Sequence, residues 1–280
     1  MSKILKNTFV KSTLITLLLV IQYLLIFLPF LYLQNIFIEN KEHEALTAMF
    51  LSLLSWWISY FIVFKFILKL KFSSININTK TKSLKLDVIF VILLISIGIV
   101  IINRPLWDIN RIDFFLKENT VSVDNHPFTG FNAQFFLNLI SVLIVAPLTE
   151  ELLFRKYMFT GVLKNNSFVV SAIFSSVLFA LLHLPNYTNL IPTFILGFIS
   201  CIIYFRTKNI LYSILIHFFY NLIIQIISDY NYNSFYNFIY KLEFNYMYWL
   251  IVLFGVVLTF FSLKRLKKSA KLKDEPYHHE

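Results

Sequence analysis

Charge is scarce in this sequence. Asp, Glu, Lys and Arg make up 14% of the 280 residues against 58% hydrophobic, and mean hydropathy is +0.71. A soluble domain carries about a quarter charged residues, so a soluble enzyme or binding module is excluded and a polytopic membrane protein is expected. Cysteine is nearly absent. Cys201 alone, set in an apolar stretch, excludes an intrachain disulfide and leaves the redox compartment open. The apolar runs lack the period-two alternation that a membrane barrel needs. Internal repeats are missing too, which withdraws support from a transporter built of inverted repeats. No small-residue cleavage site follows the basic start at Lys3 and Lys6, and the apolar run after Lys11 continues to about Phe37. An uncleaved first span is expected there.

What is present is apolar length. Runs near residues 12–37, 46–68, 86–102, 131–160, 168–184, 190–205, 210–227 and 246–263 are about as long as a bilayer-crossing helix requires. An all-α fold of about eight transmembrane helices follows, in the lipid bilayer and without a separate soluble domain. The 32 Phe, 15 Tyr and 4 Trp suit lipid contact and interfacial belts rather than a water-facing surface. Net charge is +10, but the basic residues fall in alternate loops: Lys3 to Lys11, Lys69 to Lys85, Arg155 to Lys164, Arg206 and Lys208, and Lys264 to Lys273. That is positive-inside patterning rather than a nucleic-acid surface, and it places both termini in the cytoplasm. The segment 103–130 is expected as the longest outer piece, and Asp229 to Tyr236 as an outer interfacial loop. The chain divides into an N-terminal three-helix region (1–130), a four-helix core (131–227), an outer loop with the last helix (228–263) and a basic tail (264–280). His278 and His279 belong to that solvated tail.

Three polar groupings interrupt the apolar core. Ionised groups at membrane depth cost roughly 2.5–3.5 kcal/mol each, so they tend to mark working sites. Glu150 and Glu151 are followed by Arg155, and on a helix Glu151 and Arg155 share a face while Glu150 points about 100° away. Glu151 and Arg155 therefore form a structural pair and leave Glu150 free to face a cavity, unless the group is only the charged cytoplasmic end of a span. Phe179 and His183 are four apart, and the helix ends at Leu184-Pro185; His183 is either a packing histidine or a functional one. His217 and Asn221 also share a face, either as glue between helices or as part of a site.

Taken in order, the three groupings resemble the motifs of the CPBP family, which includes the CAAX-prenyl proteases and the bacterial Abi-type bacteriocin-immunity proteins. The likeness runs from about Pro147 to Asn221 and includes Gly197 and the Tyr204-Phe-Arg206-Thr turn. Two positions depart from it: Lys156 stands where glycine often follows the motif arginine, and Lys208-Asn209 stands where many members have glycine. The resemblance implies an intramembrane endopeptidase acting on a membrane-associated protein or peptide, and the short, lysine-rich, compact chain points to a bacterial plasma membrane. Glu150 would activate water together with His183, while His217 and Asn221 hold the oxyanion and Glu151, Arg155 and Phe179 support them. No cofactor is expected. The rival mechanism is a zinc site of Glu150, His183 and His217 with an open water position, the pattern of several zinc hydrolases. A non-catalytic immunity or scaffold protein and a proton-relaying transporter are the other readings. Counting about 1.5 Å per residue inward from the cytoplasmic helix ends, Glu150, His217 and Asn221 lie about 10–17 Å deep, whereas His183 falls near 22 Å.

Overall fold

Chain with no polar alternation and few breakers satisfies its backbone groups by winding into helices. The computed structural model describes residues 8–37, 41–69, 84–119, 130–184, 186–230 and 232–269, and no strand occurs among them. Lys3, Lys6, the stretch 70–83 with Lys71, Lys80 and Lys82, Pro127, Pro185 and the tail with His278 and His279 lie outside the described residues. The helices are α1 (Thr8–Phe37), α2 (Lys41–Ile62), α3 (Leu86–Trp107), α4 (Ile109–Glu118), α5 (Ala133–Ile140), α6 (Ala146–Glu151), α7 (Thr160–Leu163), α8 (Phe168–Leu181), α9 (Leu190–Thr207), α10 (Ile210–Gln225), α11 (Tyr232–Tyr240) and α12 (Tyr246–Ser269). Two π-helical stretches, Ser141–Val145 and Leu152–Phe159, join α5, α6 and α7 into one continuous rod, and two more follow α2 and α10.

Among the described residues seven helical stretches are long and apolar enough to cross a membrane, and the chain is an integral membrane protein. The fifth expected span is shorter than its apolar run: α8 has 14 residues and gives way to a turn at Leu182. Ser167 starts it by accepting a hydrogen bond from the Val170 amide. Asn132 and Asn209 cap α5 and α10 in the same way. Parts of two expected loops are helical. α3 runs through Pro105 to Trp107 and continues as α4. The stretch read as an outer loop from Asp229 to Tyr236 is taken up in part by the start of α11.

α3 is the axis of the bundle. Lys85 N bonds Tyr212 Oη, Ser96 Oγ bonds the Ile216 carbonyl and Asn103 Nδ2 bonds Tyr220 Oη, so α3 and α10 run parallel. α12 crosses α3 in the opposite sense, and two glycines permit it. A Cβ on Gly98 would lie 2.2 Å from Thr259 Oγ1, and one on Gly255 would lie 2.7 Å from Ile101 Cγ2. α8 lies antiparallel along α9, where Gly197 brings α9 against Ser176 and Phe179. The outer surfaces of α1 and α12 are apolar, with Leu25 69% and Phe260 62% exposed, as lipid contact requires.

At the departure in the turn before α10, Lys208 takes a left-handed conformation (φ 52°) and closes α9 through a bond from its amide to the Tyr204 carbonyl at 2.8 Å. Glycine is favoured at such a position because it has no Cβ to clash. Lys208 offsets part of that strain by stacking its ammonium over the Phe205 ring, 4.1 Å from the centroid. Partial burial there lowers its pKa from the ordinary lysine value.

Candidate active site

Glu150 and Glu151 end α6, and the chain then widens into the π-helical run that carries Arg155. π-Helical insertions shift side chains around the axis and recur at functional sites. The carbonyls in both wide stretches find outside partners: Ser175 Oγ donates to the Phe154 carbonyl at 2.8 Å, and Asn221 Nδ2 to the Val142 carbonyl at 2.8 Å.

The two glutamates have different surroundings. Glu151 is wholly buried and engaged at both oxygens. Oε2 accepts from Ser200 Oγ at 2.7 Å and lies 3.0 Å from Arg155 Nε, while Oε1 is 3.1 Å from His217 Nδ1. Arg155 is equally buried, and its nitrogens make no well-aligned hydrogen bond. Its cation rests instead on the face of Phe179, 4.3 Å from the centroid. Such a contact gains strength when desolvated. Phe179 also meets His183 and His217 edge-on, at 5.3 and 5.6 Å. Glu150, by contrast, keeps 15% of its side chain exposed, and its Oε2 has no hydrogen-bond partner. That oxygen lies 4.0 Å from His217 Nε2.

Hydrogen bonds fix both imidazoles. A proton shared between His217 Nδ1 and the Glu151 carboxylate leaves Nε2 turned toward Glu150. His183 Nδ1 lies 3.1 Å from the Phe179 carbonyl, which leaves its Nε2 available. Glu150, His183, His217 and Asn221 all line one cavity of about 690 Å³. His183, the residue that helix counting set too far outward, joins them because α8 is short and ends before it.

From this polar end the cavity runs along α3 and α10 between apolar walls and beneath α11. Its far end holds a cluster that sequence reading missed. Arg104 grips Asp108 with two bonds, Nε–Oδ2 at 2.7 Å and Nη2–Oδ1 at 2.6 Å. Tyr240 and Tyr248 donate to the same carboxylate at 3.3 and 3.1 Å. The i, i+4 spacing of Arg104 and Asp108 was a visible signal for half of it, whereas the two tyrosines come from α11 and α12 and gave none. Ser200 was missed for the same reason.

The donors do not form a zinc site as they stand. Among the described residues no group of three His, Cys, Asp or Glu side chains is placed to hold a metal ion. Zinc ligands sit about 2 Å from the ion. The 4.0 Å between His217 Nε2 and Glu150 Oε2 would therefore put them on opposite sides of it rather than at a tetrahedral angle.

These features define a polytopic helical membrane protein with carboxylate, imidazole and amide groups gathered at one end of a buried apolar cavity. Residues 132–223 match the family described as type II CAAX prenyl endopeptidase Rce1-like. Over that segment the chain is similar to this family. It is 43% identical over 74 residues (26% of this chain, 40% of the relative) to UPF0177 protein YxdF of Lactococcus lactis. It is 32% identical over 92 residues (33% of this chain, 37% of the relative) to the "Putative membrane peptidase YdiL" of Bacillus subtilis. An uncharacterized protein of Mycoplasma capricolum is 39% identical over 90 residues, 31% of this chain and 26% of its own. The chain thus spans less than half the length of each of these relatives. No solved structure matches it.

Proposed function

We propose that this protein is an intramembrane endopeptidase that cleaves a membrane-associated protein or peptide without a metal, in a bacterial plasma membrane and with both termini cytoplasmic. One observation carries the reading: Glu150 faces the cavity with an unpartnered oxygen, while its neighbour Glu151 is saturated by Arg155, Ser200 and His217. Hydrolysis of an amide needs a base for water, donors for the oxyanion and a proton for the leaving amine. A water in the cavity gives one hydrogen to Glu150 and the other to His183 Nε2, and its oxygen attacks the carbonyl carbon. Asn221, with one amide hydrogen committed to Val142, offers its second to the oxyanion, and His217 donates from Nε2 when it carries both protons. Glu150 then passes the proton it took to the leaving nitrogen. Glu151, Arg155 and Phe179 hold these groups in place and do not touch the reacting atoms.

The test compares cell-surface and secreted peptides from cells carrying the native chain and Glu150→Gln. Specific peptides should vanish in the variant. Identical peptide profiles, with any bacteriocin protection unchanged, would assign the protein to a non-catalytic immunity or scaffold role. Stoichiometric zinc in the purified native protein, lost in His217→Ala, would replace the metal-free mechanism.

A further inference from the structure

The bond that joins α3 to α10 at Asn103 leaves a proton over. Asn103 Nδ2 donates to Tyr220 Oη at 3.0 Å. The same nitrogen lies 3.5 Å from the Pro192 carbonyl, which fixes the amide's orientation, since turning it over would set oxygen against oxygen. The phenol oxygen is thus an acceptor, and its own proton meets no acceptor among the described residues. Asn103 Oδ1 has no partner either, so the proton is not placed there. A pair that served only to tie two helices needs one donor and one acceptor.

The open side of that phenol is the cavity. Tyr220 lines it on the stripe of α10 that also presents His217 and Asn221, whereas Asn103 is wholly buried and stands outside the lining. The amide therefore holds the phenol from within the wall. A hydroxyl whose oxygen already accepts a bond is the stronger donor for it. At 1.5 Å per residue, Tyr220 stands about 4.5 Å along α10 from His217. One residue of extended chain rises about 3.3 Å. A peptide whose reacting carbonyl lies beside His217 would therefore bring a different carbonyl to Tyr220. Past this point α10 presents Ile223, Ile224 and Ile227 to the cavity, so Tyr220 stands where the polar end gives way to the apolar stretch.

We propose that Tyr220 is a substrate-binding residue: its phenol, held by Asn103, donates to a backbone carbonyl of an apolar, extended peptide, beside the scissile bond and toward the apolar stretch. A helical segment has spent its carbonyls internally and would leave this donor unused. The assignment rests on reading the cavity as a peptide site, and it adds the conformation in which the substrate is held.

The test measures binding with turnover removed. Glu150→Gln in lipid nanodiscs is equilibrated with a pool of capped octapeptides of Ala, Val, Leu and Phe, and empty nanodiscs give the lipid background. Retained peptides are titrated against Glu150→Gln and against Glu150→Gln combined with Tyr220→Phe. Loss of the donor should weaken binding about tenfold. The peptide bonds of one binder are then replaced singly by trans-alkenes. At one position the replacement should cost the tyrosine protein about tenfold more than the phenylalanine protein. A phenol that is only structural would weaken every analogue alike, and that pattern overturns the proposal. Equal affinities, or a pool from which nothing is retained, overturn it too. Where Tyr220→Phe fails to fold, 3-fluorotyrosine at position 220 is a stronger donor and should tighten binding, and an unchanged affinity is then the overturning result. The expected weakening, in a protein whose native form cleaves none of the retained peptides, keeps the Tyr220 contact and removes only the peptidase reading.

Discussion

Glu151 and Arg155 are both fully buried and form an ion pair at 3.0 Å. Removing one partner of such a pair costs about 3–5 kcal/mol because the other charge stays buried, whereas replacing both by apolar groups is often close to neutral. Arg155→Leu should therefore lower the thermal midpoint sharply, while Glu151→Leu combined with Arg155→Leu should recover much of the loss. The double variant should still lose activity, because His217 then has nothing at Nδ1. A double variant no more stable than Arg155→Leu would show that the pair does not act as a unit. At this scale the sequence was informative wherever two groups sit four apart on one helix, as Glu151 and Arg155 or Arg104 and Asp108 do. It was silent on Ser200, Tyr220, Tyr240 and Tyr248, whose partners are brought to them by other helices. Asn221 shows the ambiguity that remains: it lines the cavity and also ties α10 to the wide turn at Val142.

At the scale of elements, the crossing of α3 and α12 depends on Gly98 and Gly255. Both added side chains would meet atoms at distances below ordinary contact, and overpacking of this kind costs about 1–3 kcal/mol. Gly255→Leu should lower the thermal midpoint and loosen the bond from Tyr248 to Asp108, which depends on α12 keeping its place. Native stability in Gly255→Leu would mean that α12 shifts at no cost. Apolar run length located the helices because a bilayer leaves the backbone few alternatives. It could not locate the π-helical stretches, which depend on side chains such as Ser175 reaching a carbonyl on another element. Nor could it tell an interfacial loop from α11, since aromatic and polar residues serve both.

For the whole molecule, the single cysteine is a convenient gauge. Cys201 is fully buried between α8 and α9, so a maleimide should leave it unmodified in the folded protein and label it as the bundle opens. The labelling curve against denaturant should follow the loss of helical signal. Rapid labelling without denaturant would show that the wall formed by α8 and α9 breathes on its own.

That wall has a mechanical consequence for the lipid. Val169, Ile173, Val177 and Leu181 form an exposed apolar stripe along α8, all more than 40% exposed. The helix beneath them is 14 residues long, about 21 Å at 1.5 Å per residue, against about 30 Å of hydrocarbon. A bilayer beside so short a helix is expected to thin, which would draw headgroups and water inward next to His183. Such a shallow at the flank of the cavity would shorten the path of water toward Glu150.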